Sequence, residues 1–520
     1  MADDAHPAAA ELDVLDRRYL HAILTARVYD LAIETALGEM PRLSRRLGAQ
    51  IRLKREDTQT VFSFKLRGAA NKLAQLPAET LHKGVIAVSA GNHAQGVALA
   101  ARHLGIHAII VMPQTTPQIK VDAVANFGAE VILAGDSYDE AAAEGRRLAA
   151  ERELYLVHPY DDPAVIAGQG TVGLEILRQN PGPLGAVFVP VGGGGLAAGV
   201  VTVIKALRPE VKVYAVEPED AACLAAAMAA GRPVELPQVG LFVDGVAVKR
   251  IGSEPFRLLA GRIDGVITVN TDEICAAIKD VFEDTRTVLE PAGALALAGL
   301  KRWIDQGGSA DAPLVAIASG ANMNFDRLRH VAERADIGEQ HEAIFGVTIP
   351  ERAGAFLQFC RDLGPRAVTE FNYRFAGEQA AQVFVGISLR QGGRERVQLR
   401  SLLTEAGYAV EDYTDNELAK LHVRHLVGGR VPTRLPERLL RFEFPERPGA
   451  LLRFLEHLGS HWNISLFHYR SHGAAYGRVL AGFEVADEDL PQFRQELQSL
   501  GYEFVDESDN PAGRRFLRAR

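Results

Sequence analysis

The stretch "VPVGGGGLAAGV", residues 189–200, decides the fold. An apolar β-branched run enters it, four glycines interrupt it, and an apolar small-residue run leaves it, so it reads as strand, loop and helix. The wider uncharged tract from Leu184 to Ile204 is long enough to cross a bilayer. A proline and four successive glycines at its centre would, however, make a poor lipid-exposed helix. Without Cβ atoms the backbone can curl tightly and approach a ligand closely. Its N–H groups, with those of the first helical turn, form a cradle for an anion. No lysine or arginine lies between Leu184 and Ile204, so the cradle is made of backbone. Several charge-assisted bonds at roughly 1.5–3 kcal/mol each hold a phosphate dianion. The spacing differs from a dinucleotide fingerprint, and no acidic residue follows where a ribose needs one. The competing reading is a turn required by sterics alone.

Outward from this loop, between about residues 40 and 330, short apolar runs alternate with amphipathic stretches. "GVIAVSA", "HAIIVM", "AEVILAG", "LYLVHP", "AVFVPV", "VKVYAVEP", "GVITVN" and "PLVAIAS" read as strands; "AQGVALAARHL", "DEAAAEGRRLAAERE" and "EICAAIKDVF" read as helices. Ser137 and Glu140 form a capping box at the start of the second helix. Apolar strands separated by helices imply an α/β parallel sheet covered on both faces, with ligands beyond the strands' carboxyl ends.

After about residue 335 the character changes. "FGVTIPERAGAFLQFCRDLG" (345–364) recurs as "RFEFPERPGALLRFLEHLG" (441–459), and "FNYRF" (371–375) as "FHYRS" (467–471). Each copy reads strand, turn, helix, strand, then further strand and helix. "HLVGGRVPTRLPE" (425–437) reads as the linker between copies. Such a pair serves either as structural appendages or as ligand-sensing modules.

The bulk composition narrows the function. A chain of 520 residues exceeds one ordinary core, and 47% apolar with 24% charged residues is typical of globular proteins. A net charge of −9 disfavours nucleic acid and anionic membranes as partners. Cys223, Cys275 and Cys360 make neither a disulfide framework nor a metal-ligand spacing, which points to a reducing, cytoplasmic setting. The acidic N-terminus "MADDAHPAAAELDVLD" has the pattern of neither a signal nor a transit peptide.

Three further stretches bear on chemistry. "SAGNHAQG" (89–96) ends a strand and opens a helix. Ser89 and Asn92 offer side-chain hydrogen bonds there, and the N–H groups of 90–93 suit a carboxylate, unless the tract is only an elaborate helix cap. "VFSFKLRG" (61–68) sets Lys65 beside Phe62 and Phe64; alone it reads as surface charge. "ASGANMN" (318–324), alone, is a commonplace turn. A lysine, a backbone phosphate cradle and a second anion site together suit pyridoxal 5'-phosphate, which carries a phosphate, an aldehyde and an electron-accepting ring.

"KREDTQTVFSFKLRGA", "SAGNHAQG", "VPVGGGGLAAG", "EPAGA" (290–294) and "ASGAN" resemble, in order, the motifs of biosynthetic threonine ammonia-lyases (threonine dehydratases) of the tryptophan-synthase-β-like pyridoxal-phosphate fold. The duplicated tail resembles their paired ACT-like regulatory domains. The resemblance implies a two-lobed parallel-sheet catalytic domain over 1–335 and α+β ACT-like domains over 340–425 and 438–515. It makes Lys65 the cofactor-bearing lysine and catalytic base, and sets Phe64 against the cofactor ring. Asn92 then bonds the ring hydroxyl oxygen, Gly192, Gly193, Gly194, Gly195 and Leu196 bind phosphate, and Ser319 faces the pyridine nitrogen. Ser89, Ala90, Gly91, Asn92 and His93 hold the substrate carboxylate. Where the family often has a histidine, this chain has Phe62, which is assigned no chemistry.

The implied reaction is dehydration and deamination of L-threonine to 2-oxobutanoate and ammonia, opening isoleucine biosynthesis. A neutral serine at the pyridine nitrogen makes a weaker electron sink than a carboxylate would, and favours prompt β-elimination over transamination. Ala90 stands where related racemases have a serine, which argues against racemisation, and Cys223 replaces the acid of a related cation site, so no required metal is expected. The motifs do not separate threonine from serine; the doubled tail favours the isoleucine-pathway enzyme over a serine ammonia-lyase. A non-catalytic amino-acid-binding relative is the remaining alternative. The resemblance further implies inhibition by isoleucine, activation by valine and a homotetramer. Tyr373 and Tyr469, equivalent in the two copies, are the expected effector residues, or else sheet residues with rim hydroxyls.

Overall fold

The computed structural model describes residues 17–509 except 115, 136, 241, 310, 326, 353, 375–379, 417–418, 420–423, 425–435, 446–449, 459–460 and 471–475. The N-terminal tract 1–16, most of the linker 425–437 and residues 446–449 of the turn in the second copy lie outside the described residues. The chain divides into two units, Met1–Gly338 and Glu339–Arg520.

In chain order the first unit carries β1 (Leu37–Glu39), β2 (Ile51–Arg55), β3 (Val85–Val88), β4 (Ala108–Met112), β5 (Glu130–Leu133), β6 (Tyr155–Leu156), β7 (Ala186–Pro190), β8 (Lys212–Pro218), β9 (Gly265–Val269) and β10 (Leu314–Ala318). Every strand read from the sequence is present, though "LYLVHP" yields only the two residues of β6. They divide between two sheets. The smaller has order β5-β4-β3-β6 and is parallel; the larger has order β1-β2-β10-β7-β8-β9 and is parallel except for β1, which runs antiparallel to β2.

The interior strands β3, β4, β7 and β10 are buried along their length, as their unbroken apolar sequences require. The small sheet's edge strand β5 has no buried residue. Among the helices, Tyr138–Glu151 has its capping box in both directions: Ser137 Oγ accepts from Glu140 N–H at 3.3 Å, and Glu140 Oε2 accepts from Ser137 N–H at 3.2 Å. The uncharged tract resolves into β7, the glycine loop and the helix Gly195–Leu207. No helix among the described residues is long and apolar enough to cross a membrane.

The second unit carries β11 (Glu342–Pro350), β12 (Val368–Arg374), β13 (Ala380–Ser388), β14 (Ala409–Asp412), β15 (Glu437–Pro445), β16 (Asn463–Arg470), β17 (Tyr476–Glu484) and β18 (Glu503–Asp506). Both copies run strand, helix, strand, strand, helix, strand, and their strands form one antiparallel sheet of order β14-β11-β13-β12-β16-β17-β15-β18. Pairing of β12 with β16 joins the copies. Their cores merge there: Phe467 lies 5.3 Å from Phe356 and 5.9 Å from Phe371 between ring centres.

Candidate active site

Lys65 opens the helix Lys65–Ala74, and the residues before it are stitched to the carboxyl end of β10. Ser63 bridges Gly320, Phe64 N–H donates to Ser319 O at 3.2 Å, and Ala321 N–H donates to Phe62 O at 2.9 Å. Phe62 makes this turn with φ +52°, a strained value for a bulky residue, and is 56% exposed. Since β10 lies beside β7, this junction neighbours the glycine loop that follows Pro190. From the other side, the helix Asn92–Leu104 presses against Lys65 so closely that a Cβ at Gly96 would lie 3.2 Å from Lys65 O. The four motif segments thus converge at strand ends, where a ligand is expected in an open parallel sheet.

The cradle follows from its neighbours. A Cβ on Gly193 would sit 2.2 Å from the Tyr160 ring, and one on Gly192 would sit 2.9 Å from Val246 Cα. Gly194 has φ +92° and caps the helix Gly195–Leu207, whose first-turn N–H groups lack intrahelical acceptors. Side chains are excluded, donors are backbone, and the loop brings no cation, which suits a phosphate monoester. An aldehyde on the same ligand would need an amine, and Lys65 supplies it. Pyridoxal 5'-phosphate fits the residues present.

Lys65 is half-buried as a residue, yet its amine is enclosed, 5.4 Å from the Phe64 ring centre. Burial pushes this amine down to about 8, and the nearby Glu290 carboxyl opposes the fall. Glu290 itself is buried and pushed up to about 7, chiefly by burial, while a hydrogen bond from Asn92 works the other way. The Asn92 amide is committed at both ends: Nδ2 donates to Glu290 Oε1 at 2.6 Å, and Oδ1 accepts from Asn322 Nδ2 at 2.7 Å.

In the 89–93 turn, Ser89 Oγ accepts from Gly91 N–H at 3.2 Å. The buried His93 ring turns to Val157 O, with Nε2 at 3.0 Å. Burial first, then the Lys65 charge, hold that imidazole down to about 3, so it is neutral at ordinary pH. Ser319 Oγ donates to Ala292 O at 3.0 Å and is buried. Cys223 stands behind the cradle with Sγ donating to Gly192 O at 3.4 Å. Burial and Glu217 push its thiol up, leaving it a neutral packing group.

Glu290, Asn322, Tyr160 and the Asp244–Val246 turn are site residues to which the motifs attach no role. Glu290 and Asn322 do lie within quoted motifs; an acid ahead of a proline-started helix is the one local signal. Tyr160 carries none, and its partner Gly193 is reached only through the fold.

The two tyrosines of the second unit are both buried. Tyr373 donates its hydroxyl to Glu351 at 2.6 Å. In the β12–β16 register Tyr373 faces Phe467 and Tyr469 faces Phe371, so both lie on one face of the sheet.

The family model described as "Pyridoxal-phosphate dependent enzyme" matches residues 28–320, and that of the "C-terminal regulatory domain of Threonine dehydratase" matches twice, over 333–423 and 429–517. A biosynthetic L-threonine dehydratase of Burkholderia multivorans is 56% identical over 96% of this chain and 99% of its own. That of Escherichia coli is 57% identical over 96% and 97%. Among solved structures, the processed form of threonine deaminase isoform 2 from Solanum lycopersicum is 49% identical with a TM-score of 0.61, covering 62% of this chain and 88% of that one. Maize serine racemase is 32% identical with a TM-score of 0.57, covering 61% and 95%. With the cofactor site and the doubled regulatory match in a single chain, this protein belongs to the pyridoxal-phosphate-dependent enzymes, in the biosynthetic threonine dehydratase family.

Proposed function

We propose that this chain converts L-threonine to 2-oxobutanoate and ammonia, with Lys65 as the amine that carries the cofactor and moves the α-proton. The observation that supports it most is the stitching of Ser63–Phe64 to Ser319–Gly320, which sets Lys65 next in the chain to the carboxyl end of β10, the strand beside β7 and its glycine loop. When bound, pyridoxal 5'-phosphate supplies an aldehyde that condenses with an amine and a ring that draws electron density from the substrate's α-carbon.

The chain's own groups do the rest. Gly192–Leu196 would hold the phosphate through backbone donors, and Phe64 would lie against the ring. The N–H groups around Ala90–His93 hold the substrate carboxylate, fixing which α-bond points at Lys65. An amine lowered to about 8 is partly unprotonated near neutrality and accepts the α-proton there. The Asn92 Nδ2 hydrogen not given to Glu290 would bond the ring oxygen, and Ser319 would offer a hydroxyl, which fixes no proton on a facing nitrogen. With the α-proton removed and the β-hydroxyl lost as water, the released enamine tautomerises to an imine, which water hydrolyses to the 2-oxo acid and ammonia.

In the domain division we propose, 1–335 is catalytic, and 340–425 and 438–515 are regulatory. The repeats take isoleucine as inhibitor and valine as activator, with Tyr373 and Tyr469 as equivalent contacts, and the chain works as a cytoplasmic homotetramer. The double regulatory match supports amino-acid sensing; three free, buried cysteines support a reducing compartment. The test incubates the cofactor-loaded protein separately with L-threonine and L-serine and assays 2-oxo acid. 2-Oxobutanoate from threonine, with borohydride fixing the cofactor on Lys65, is expected. Pyruvate from serine alone overturns the substrate, and a colourless protein that forms no 2-oxo acid overturns the activity.

A further inference from the structure

One carboxyl in the site has no part in that scheme. Glu290 precedes the helix Pro291–Asp305, yet its side chain makes no cap bond to it. Oε1 accepts from Asn92 Nδ2 at 2.6 Å, and a Cβ built on Gly320 would lie 2.3 Å from the same oxygen. The acid is therefore wedged between the Ser319–Gly320 end of β10 and the helix Asn92–Leu104. It fixes the sense of the Asn92 amide, whose Oδ1 must then face Asn322; Asn322 Nδ2 also donates to Val61 O at 2.8 Å.

The charged groups acting on this carboxyl are Asp244 from the turn Asp244–Val246, Lys120 from the helix Gln118–Ala125, and Lys65. Lys120 and Asp244 pair with each other at 2.7 Å, so their fields largely cancel. Lys65 is the cation left to answer Glu290; the Lys65 amine in turn feels Glu290 and, when they are protonated, the imidazoles of His93 and His158, both of which burial and the Lys65 charge keep down and so neutral where the amine titrates.

We propose that Glu290 is a positioning residue of this site: it locks the donor and acceptor sense of Asn92, and its charge governs how readily the Lys65 amine holds its proton. This rests on Lys65 as the cofactor-bearing amine. An ammonium neither condenses with an aldehyde nor accepts an α-proton, so the charge on Glu290 sets the working fraction of Lys65. Burial holds the carboxyl near 7, where modest pH changes switch that charge. The sign is definite: an ionised Glu290 raises the amine's pKa, and a neutral one lets it fall.

The test uses full-length cofactor-free protein, trace acetic anhydride, and peptide mass spectrometry of Lys65 labelling against pH. It therefore reads the coupling whether or not the lysine carries a cofactor. The wild-type midpoint is expected near 8. Glu290→Gln keeps the size and loses the charge, and should lower the midpoint by roughly one pH unit, raising labelling at pH 7 about fivefold. Glu290→Asp keeps the charge and should hold the midpoint near wild type. An unchanged midpoint in Glu290→Gln, or an equal fall in Glu290→Asp, overturns the proposal. Should Glu290→Gln fail to fold, the reciprocal effect is read in Lys65→Met by infrared spectroscopy: the buried protonated-carboxyl band should persist to higher pH than in wild type. A band that titrates as in wild type overturns the proposal.

Discussion

Arg67, two residues after Lys65, enters a fully buried cluster whose balance can be tested by removing one charge. Its guanidinium donates to Glu175 at 2.6 and 2.9 Å and to Glu56 at 2.7 and 2.8 Å. Lys54 Nζ donates to Glu175 at 2.6 Å, and all four side chains are inaccessible to solvent. Two cations and two carboxylates cancel. Glu175→Gln leaves one positive charge unanswered, a change that typically destabilises by about 3–5 kcal/mol. The lower end is expected, because burial already pushes the Lys54 amine down against the pull of Glu175, and it relieves the imbalance by shedding its proton.

Multi-unit chains do not unfold in one step, so the readout is native-state hydrogen exchange of peptides spanning Pro163–Gln179. Adding Lys54→Met removes the surplus charge, and the pair should fall short of the additive sum by roughly 1 kcal/mol or more. The wild-type contribution has a defined pH sense. Burial raises Glu175, but Arg67 and Lys54 lower it further, leaving it below the ordinary glutamate value. Its stabilisation is complete above that ordinary value and is lost as the pH falls through the depressed one. A Glu175→Gln penalty under about 1 kcal/mol, or strict additivity with Lys54→Met, would refute the cluster's role as a charge-balanced anchor for the Lys65 helix.

Gly193→Ala places a methyl carbon 2.2 Å from the Tyr160 ring, so the cradle must open. Cofactor affinity should drop at least about tenfold, or 1.4 kcal/mol, by equilibrium dialysis with unchanged far-ultraviolet circular dichroism. Ser319→Asp puts a carboxylate where a hydroxyl now donates to Ala292 O. Turnover of threonine should fall, and the share of cofactor lost to transamination, followed by absorbance during turnover, should rise. Tyr373→Phe removes a 2.6 Å hydrogen bond to Glu351 and should destabilise the second unit by about 1 kcal/mol. Under the regulatory proposal it also shifts the isoleucine inhibition curve while leaving uninhibited threonine kinetics unchanged.

What could be read from the sequence was local. The strands follow from short β-branched runs, the Tyr138–Glu151 helix from its Ser-Glu box, and the glycine loop from its place between an apolar strand and an apolar helix. Strand alternation does not say which strands pair: the resemblance implied two lobes, but their strand orders and the reversal of β1 came only with the structure. The site splits in the same way. Lys65, Ser319 and Gly192–Gly195 sit in motifs whose chemistry is carried by residue type. The Asn92–Glu290 contact joins positions 198 residues apart, and nothing near either residue announces the other. His93 was legible as part of an anion turn but not as a ring turned to Val157, because side-chain direction is settled by packing.

The duplicated tail follows the same logic at the level of whole strands. Alone, either copy would end in an edge strand, β12 or β16, with a row of unpaired N–H and C=O groups. Pairing these two edges removes both. The resulting order reads alike from either side of the joint: β12, β13, β11, β14 outward one way, and β16, β17, β15, β18 the other. The contacts are reciprocal, with Tyr373 facing Phe467 and Tyr469 facing Phe371, as a two-fold relation between copies demands. Under the regulatory proposal, a ligand that shifts either tyrosine acts on a residue paired across the joint with the other copy. Two effectors with opposite consequences then need only prefer different arrangements of this one joint, and each must alter the other's affinity by the same factor.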